Sequence, residues 1–197
     1  HNGIIENFRE LRADLEAEGF VFSSQTDTEV IAHLVSSGLR TGLTPEKAAH
    51  QAISKLRGAF ALALVFEGED NLMVAGRSGP PLAIGHGEGE MYLGSDAVAL
   101  APFTNRITYL EDGDWAIIRS GSAEIFDING DPVTRQQQTS VGSALMVDKG
   151  NYRHFMLKEI YEQPEVIGHT LSHYIDFNKE SVDIRSEHPV DFSKLDR

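Results

Sequence analysis

Between Ile4 and Glu18 the apolar residues fall at Ile4, Phe8, Leu11 and Leu15, steps of three and four that gather them on one side of a helix, with Gly19 as a stop. FVFSS, which follows, reads as a short strand. In QTDTEVIAHLVSSG a second apolar face recurs at Val30, Ile31, Leu34 and Val35. Thr26 and Glu29 are spaced as a capping box at its start, and Gly38 lies near its end. LTPEKAAHQAISKL opens a third helix, with Thr44 as N-cap and Pro45 in the first position, and it ends before Arg57-Gly58.

The middle of the chain changes period. AFALALVFE, NLMVAGR, PLAIG, EMYLGS, RITYL, DWAIIRS and SAEIFDI are short apolar runs punctuated by Gly, Pro, Asn or Asp, as in successive antiparallel strands. Asn129-Gly130 in DINGDP signals a hairpin, and SDAVALAP reads as a short inserted helix. Beyond Pro132, TRQQQTSVGSALMVDKGNY is polar and irregular, a linker by composition. HFMLKEIYEQPEVIGHTLSHYI is helical in pattern, with Pro164 as a break or a start. The charged stretch FNKESVDIRSEHPVDFSKLDR reads as a tail. Helices, then many strands, then helices point to an α+β fold with sheets and helices in layers.

Composition narrows the chemistry. The 197 residues suffice for one domain with a substantial core, and 41% hydrophobic and 24% charged residues are ordinary for a globular chain. A formal charge of −13 argues against nucleic acid as a partner, since phosphate binding needs clustered Lys and Arg. There is no cysteine, hence no thiolate metal site and no thiol nucleophile within these residues. No apolar run is long enough for a membrane span, and no signal segment opens the chain; a cytoplasmic location follows by elimination.

Asn2-Gly3 raises two readings. An Asn amide and a Gly backbone N–H aimed at one point form an oxyanion hole, aided here by the start of the expected helix; the same pair also makes a plain helix cap. Asp27 likewise either caps a helix or holds a substrate ammonium. The glycine-rich GRSGPPLAIGHGEGE lies between strands and has no Lys, so a tight hairpin is expected rather than a phosphate cradle. His33 and His50 lie within helices, at the surface or its boundary, and His154 is structural or meets a partner. His169 and His173 have a metal-clip spacing but no third ligand, so neither a metal nor a cofactor is expected. No nucleophile-elbow pattern is present.

HNGIIEN, SSQTDTEVIAHL, LRGAFALALVF, RSGPPLAIG and YRHFMLKEIYEQP, in this order, closely resemble the glutamine–fructose-6-phosphate aminotransferase (isomerizing) family, the glucosamine-6-phosphate synthases. The likeness covers nearly the whole chain. It implies the four-layer αββα sandwich of N-terminal-nucleophile hydrolases, here expected without its N-terminal strands. It also implies a type 2 amidotransferase reaction. A cysteine attacks the side-chain amide of glutamine, the thioester is hydrolysed, and ammonia passes to a sugar isomerase domain that makes glucosamine 6-phosphate. In that pattern Asn2 and Gly3 are the oxyanion-hole pair, and Asp27 holds the amino group of glutamine.

The resemblance places the nucleophile and an Arg-Trp segment ahead of His1. It therefore implies a chain trimmed at both ends and inactive by itself, with exposed sheet edges that favour self-association or low stability. The expected division is a glutaminase domain over residues 1–135. Residues 136–197 are then a linker, the KEIYEQP helix and a tail leading to the sugar isomerase domain. Expected partners are glutamine or glutamate and that second domain, with a homodimer in the full-length form and no membrane. The alternatives are a non-catalytic glutamine- or glutamate-binding or interaction module, and the glutaminase domain of another amidotransferase.

Overall fold

The computed structural model describes residues 1–140, 152–172, 174–176 and 181–182. The chain divides into two compact units, residues 1–147 and 148–197. The first begins with β1 (Asn2–Ile5), α1 (Phe8–Ala17), α2 (Thr28–Arg40) and α3 (Pro45–Lys55). Then come β2 (Gly58–Val65), β3 (Met73–Ser78), β4 (Ala83–His86), β5 (Met91–Gly94) and α4 (Ala97–Leu100). It closes with β6 (Arg106–Tyr109), β7 (Trp115–Arg119), β8 (Ser122–Phe126), β9 (Pro132–Val133) and β10 (Gln137–Thr139). Two antiparallel sheets result, in the orders β1-β2-β3-β7-β8-β9 and β10-β6-β4-β5.

Strand alternation builds the layers. On β2, Phe60 and Leu62 face one way and pack with Ile5 and with Leu15, Val30, Ile31, Leu34, Ala48 and Ala52 of the first three helices. Ala61 faces the other way and joins Ala75, Ala116 and Ile118 against Leu82, Ile84 and Leu110 beside the second sheet. The first sheet thus offers three alanines beside Ile118 where the second offers larger residues, which lets the two sheets approach closely. The far face of the second sheet, Ala83 and Ile107, is covered by Leu100 of α4. The order is helices, sheet, sheet, helix. Trimming a buried residue such as Leu62 or Ile84 to Ala would cost about 2–5 kcal/mol.

Toward β1 the inner face of the first sheet is open. Ile4 pairs with Ala59 and so shares the face of Ala61, as does Val65. Ile4 and Val65 are 66% and 78% exposed.

The strand runs, α3 with its Thr44 cap, α4 and the Asn129-Gly130 hairpin between β8 and β9 fall where the pattern puts them. Several elements differ. Asn2–Ile5 is a strand, not the start of a helix; α1 begins at Phe8, because β2 offers Ile4 and Ile5 a ladder. Residues 20–24 form no strand, since Phe20 and Phe22 turn onto the His33 ring, at 5.0 and 4.5 Å. Asp27 rather than Thr26 stands at the N-cap of α2. RSGPPL crosses from the first sheet to the second, and only the HGEGE part is a hairpin, between β4 and β5. Gln137–Thr139, read as linker, pairs with β6.

In the second unit α5 (Phe155–Ser172) runs through Pro164, and β11 (Ile175–Asp176) pairs with β12 (Ser181–Val182). His173 and most of the tail lie outside the described residues.

Candidate functional site

β1 is the outer strand of its sheet, and α2 starts directly beside it. Asp27 makes the join: its Oδ2 accepts a hydrogen bond from the Ile5 backbone N–H at 2.8 Å. The side chain therefore does not cap its own helix, and no side-chain cap bond exists at α2. The His1 ring sits on the same corner. Its Nδ1 shares a hydrogen bond with Thr28 Oγ1 at 2.7 Å and lies 4.0 Å from Asp27 Oδ1. Asn2 and Gly3 are exposed, and the Asp27 side chain is 23% exposed. The three residues singled out from sequence thus meet at one accessible corner. The helix-start contribution expected for Asn2-Gly3 is absent, because this pair lies in a strand.

Gly3 has φ +112, and a Cβ built on it would sit 2.0 Å from the Ala59 carbonyl oxygen. Only glycine fits so close to β2. Asn7 anchors the other end of the corner: its Oδ1 accepts from Arg57 N–H and its Nδ2 donates to the Lys55 carbonyl, both at 2.9 Å.

The loop leading to Asp27 is held by Glu29, a role the sequence reading missed. One Glu29 oxygen accepts from the N–H and hydroxyl of Ser23, at 2.7 and 3.0 Å. The other accepts from those of Ser24, at 2.7 and 2.6 Å. The backbone N–H of Ser23, then the Ser24 hydroxyl, outweigh desolvation and bring the Glu29 pKa down to about 2. Arg12 adds a bond to the Ser24 carbonyl at 3.0 Å and lies over the Phe22 ring at 4.4 Å. His33 Nε2 is 3.5 Å from Glu29 Oε1, an ion-pair distance without hydrogen-bond alignment. The signal for this clasp was SS preceding TDTE: two hydroxyl residues five and six positions before a Glu cap a loop as readily as a helix.

Elsewhere, buried Asp114 receives Arg135 through two bonds of 2.8 Å and the Glu111 N–H at 2.7 Å. This pair fastens the loop before β7. Burial, then the nearby Arg106 charge, hold the His86 pKa below its usual range, and its Nε2 meets Thr108 Oγ1 at 2.8 Å. Among the described residues no three His, Asp or Glu converge as a metal site, and no helix is long and apolar enough to cross a membrane.

Two antiparallel sheets between helical layers, with an exposed Asn-Gly strand beside a carboxylate, define the N-terminal-nucleophile hydrolase class of amidotransferases. A solved relative has the same fold: glutamine phosphoribosylpyrophosphate amidotransferase from B. subtilis, complexed with ADP and GMP. It is 29% identical with a TM-score of 0.55, over 64% of this chain and 28% of that one. The glutamine amidotransferase domain family matches residues 1–102, and the chain belongs to it. Among curated proteins it is similar to the glutamine–fructose-6-phosphate aminotransferases (isomerizing) of Mesorhizobium japonicum, 62% identical over 197 residues, and of Brucella abortus, 57% identical over 198. Each alignment takes in all of this chain and 32% of the relative, so the chain spans about a third of the length of the relatives it matches.

Proposed function

We propose that the chain is the glutamine-hydrolysing part of an enzyme that delivers the amide nitrogen of glutamine to fructose 6-phosphate, making glucosamine 6-phosphate. The observation that carries this reading is the 2.8 Å bond from Ile5 N–H to Asp27, which ties the Asn-Gly strand to the carboxylate. In this reading Asp27 Oδ1, the oxygen that Ile5 N–H leaves unbonded, takes the α-ammonium of glutamine. Strand alternation turns the Gly3 N–H to the edge used by Ile5 N–H, while Glu6 N–H points to the Arg57 carbonyl on the β2 side at 2.8 Å. The Gly3 N–H and the Asn2 amide then face the developing oxyanion as a thiolate adds to the amide carbon. Ammonia leaves, and water cleaves the thioester to glutamate. The 197 residues contain no cysteine, so this reaction takes its thiol from outside them. The sugar isomerase domain, a homodimer of the full-length protein and a cytoplasmic location belong to the same reading.

The test is glutamate release by the full-length protein carrying this chain and a cysteine-bearing segment. Asn2→Ala should lower kcat by about 10²–10³-fold, the usual loss for one oxyanion donor. Asp27→Asn should raise the KM for glutamine by ~10-fold or more, since a charged hydrogen bond contributes about 1.5–3 kcal/mol. An unchanged KM in Asp27→Asn would refute the role given to that carboxylate.

A further inference from the structure

We propose that the cavity between α3 and the adjoining ends of β2, β3 and β7 is a binding site for a small organic anion with a flat, apolar body. The cavity measures about 350 Å³, the size of small-molecule sites, and shares no residue with the Asn2, Gly3 and Asp27 corner.

Its apolar lining is Ile53, Leu56, Phe60, Trp115 and Ile128. Trp115 is the middle ring of a three-ring stack. His50 lies 4.5 Å from the indole at 13°, and Phe126 lies 4.5 Å from it on a plane tilted 18°. The stack covers the faces of the indole and fixes its orientation, so a guest meets an indole edge that is already ordered.

The charges set the sign of the guest. Arg57, Arg77 and Asp112 line the cavity. Asp112 is engaged by the Gly79 N–H at 2.6 Å, and Arg77 donates to the Leu110 and Gly79 carbonyls. Among the described residues the Arg57 guanidinium has no hydrogen-bond or ion-pair partner, in a chain with 30 acidic residues against 17 basic ones. Two buried donors on lining residues, Arg77 Nε and Trp115 Nε1, also lack acceptors among the described residues. Neither is open to solvent, so neither bonds a guest directly; the field at the cavity is that of Arg57 and Arg77 against Asp112, one net positive charge. A carboxylate matches the fork of Arg57 and that field, while its body lies along Trp115 and Phe60.

Trp115 is the chain's one tryptophan, so its emission reports on this cavity directly. The 197-residue chain would be titrated with benzoate at constant ionic strength. Benzyl alcohol serves as a neutral comparison and inorganic phosphate as an anion without a body. The expected result is a saturable change with benzoate, at least ~10-fold weaker with benzyl alcohol and in Arg57→Gln, and unchanged in Arg9→Gln, an exposed control. A linear, unsaturable response to benzoate overturns the proposal, as does saturation that Arg57→Gln leaves intact. Phosphate saturating as tightly as benzoate overturns the chemical class, because the body then contributes nothing.

Discussion

Replacing Gly3 with alanine tests the close approach of β1 to β2. The added Cβ would lie 2.0 Å from the Ala59 oxygen and 2.9 Å from Ala59 C and Phe60 Cα, all backbone atoms that no side-chain rotation can move aside. Reaching even 3.0 Å, the shortest separation real Cβ atoms adopt, needs the strands to part by about 1 Å, and an ordinary contact of 3.4 Å needs about 1.4 Å. That strains the ladder on either side of the Gly3–Phe60 pair, at Asn2–Ala61 and Ile4–Ala59, and two weakened bonds account for about 2 kcal/mol. The positive φ adds about 1–2 kcal/mol for any residue bearing a Cβ. The expected loss is about 3–4 kcal/mol, a large share of the roughly 5–15 kcal/mol of a typical domain. Gly19 supplies the reference: its φ is +90, but a Cβ there meets nothing within 4 Å, so Gly19→Ala should lose only the conformational part, about 1–2 kcal/mol. Urea unfolding followed by Trp115 emission and by circular dichroism measures both variants. If Gly3→Ala comes within about 0.5 kcal/mol of Gly19→Ala, the steric argument is wrong.

Asp114→Ala should destabilise the chain by about 1–3 kcal/mol in the same assay, because it leaves the Glu111 N–H without its acceptor and Arg135 with Glu111 alone; a loss under about 0.5 kcal/mol would sink the claim that this pair fastens the loop. Glu29 makes stability depend on acid. Its folded pKa, about 2, lies below the ordinary 4.5, so the unfolded chain takes up the proton first as pH falls. The contribution is complete above pH 4.5 and drains away between 4.5 and about 2. Glu29→Gln should flatten that part of the curve and meet wild type at its acid end; curves that stay parallel would refute the clasp.

Much of the fold could be read from the chain because most elements obey one period. β2 alternates around buried Phe60, Ala61 and Leu62, and α2 repeats its apolar face from Val30 to Val35. The failures share a cause. Ile4 and Ile5 suit the face of a helix, but their partners lie more than fifty residues away on β2, and local pattern does not register a distant ladder. FVFSS has strand composition, yet Phe20 and Phe22 have His33 to pack on and no neighbouring strand. β10 is a polar edge strand and carries no apolar signal at all. At the candidate site, Asn2, Gly3 and Asp27 could be named from the resemblance. Asn7 and Glu29 could not, because each acts through backbone groups that only the fold brings near.

The bond between Asp27 and the Ile5 backbone bears on selectivity. In the proposed reading one end of the substrate meets a carboxylate and the other meets donors only two or three residues from the atom that carboxylate holds. The two ends are gripped by a single stiff frame, so the corner acts as a gauge of length. An amino acid amide one methylene shorter or longer than glutamine would satisfy either grip but not both, and discrimination among such homologues would need no pocket wall to turn them away.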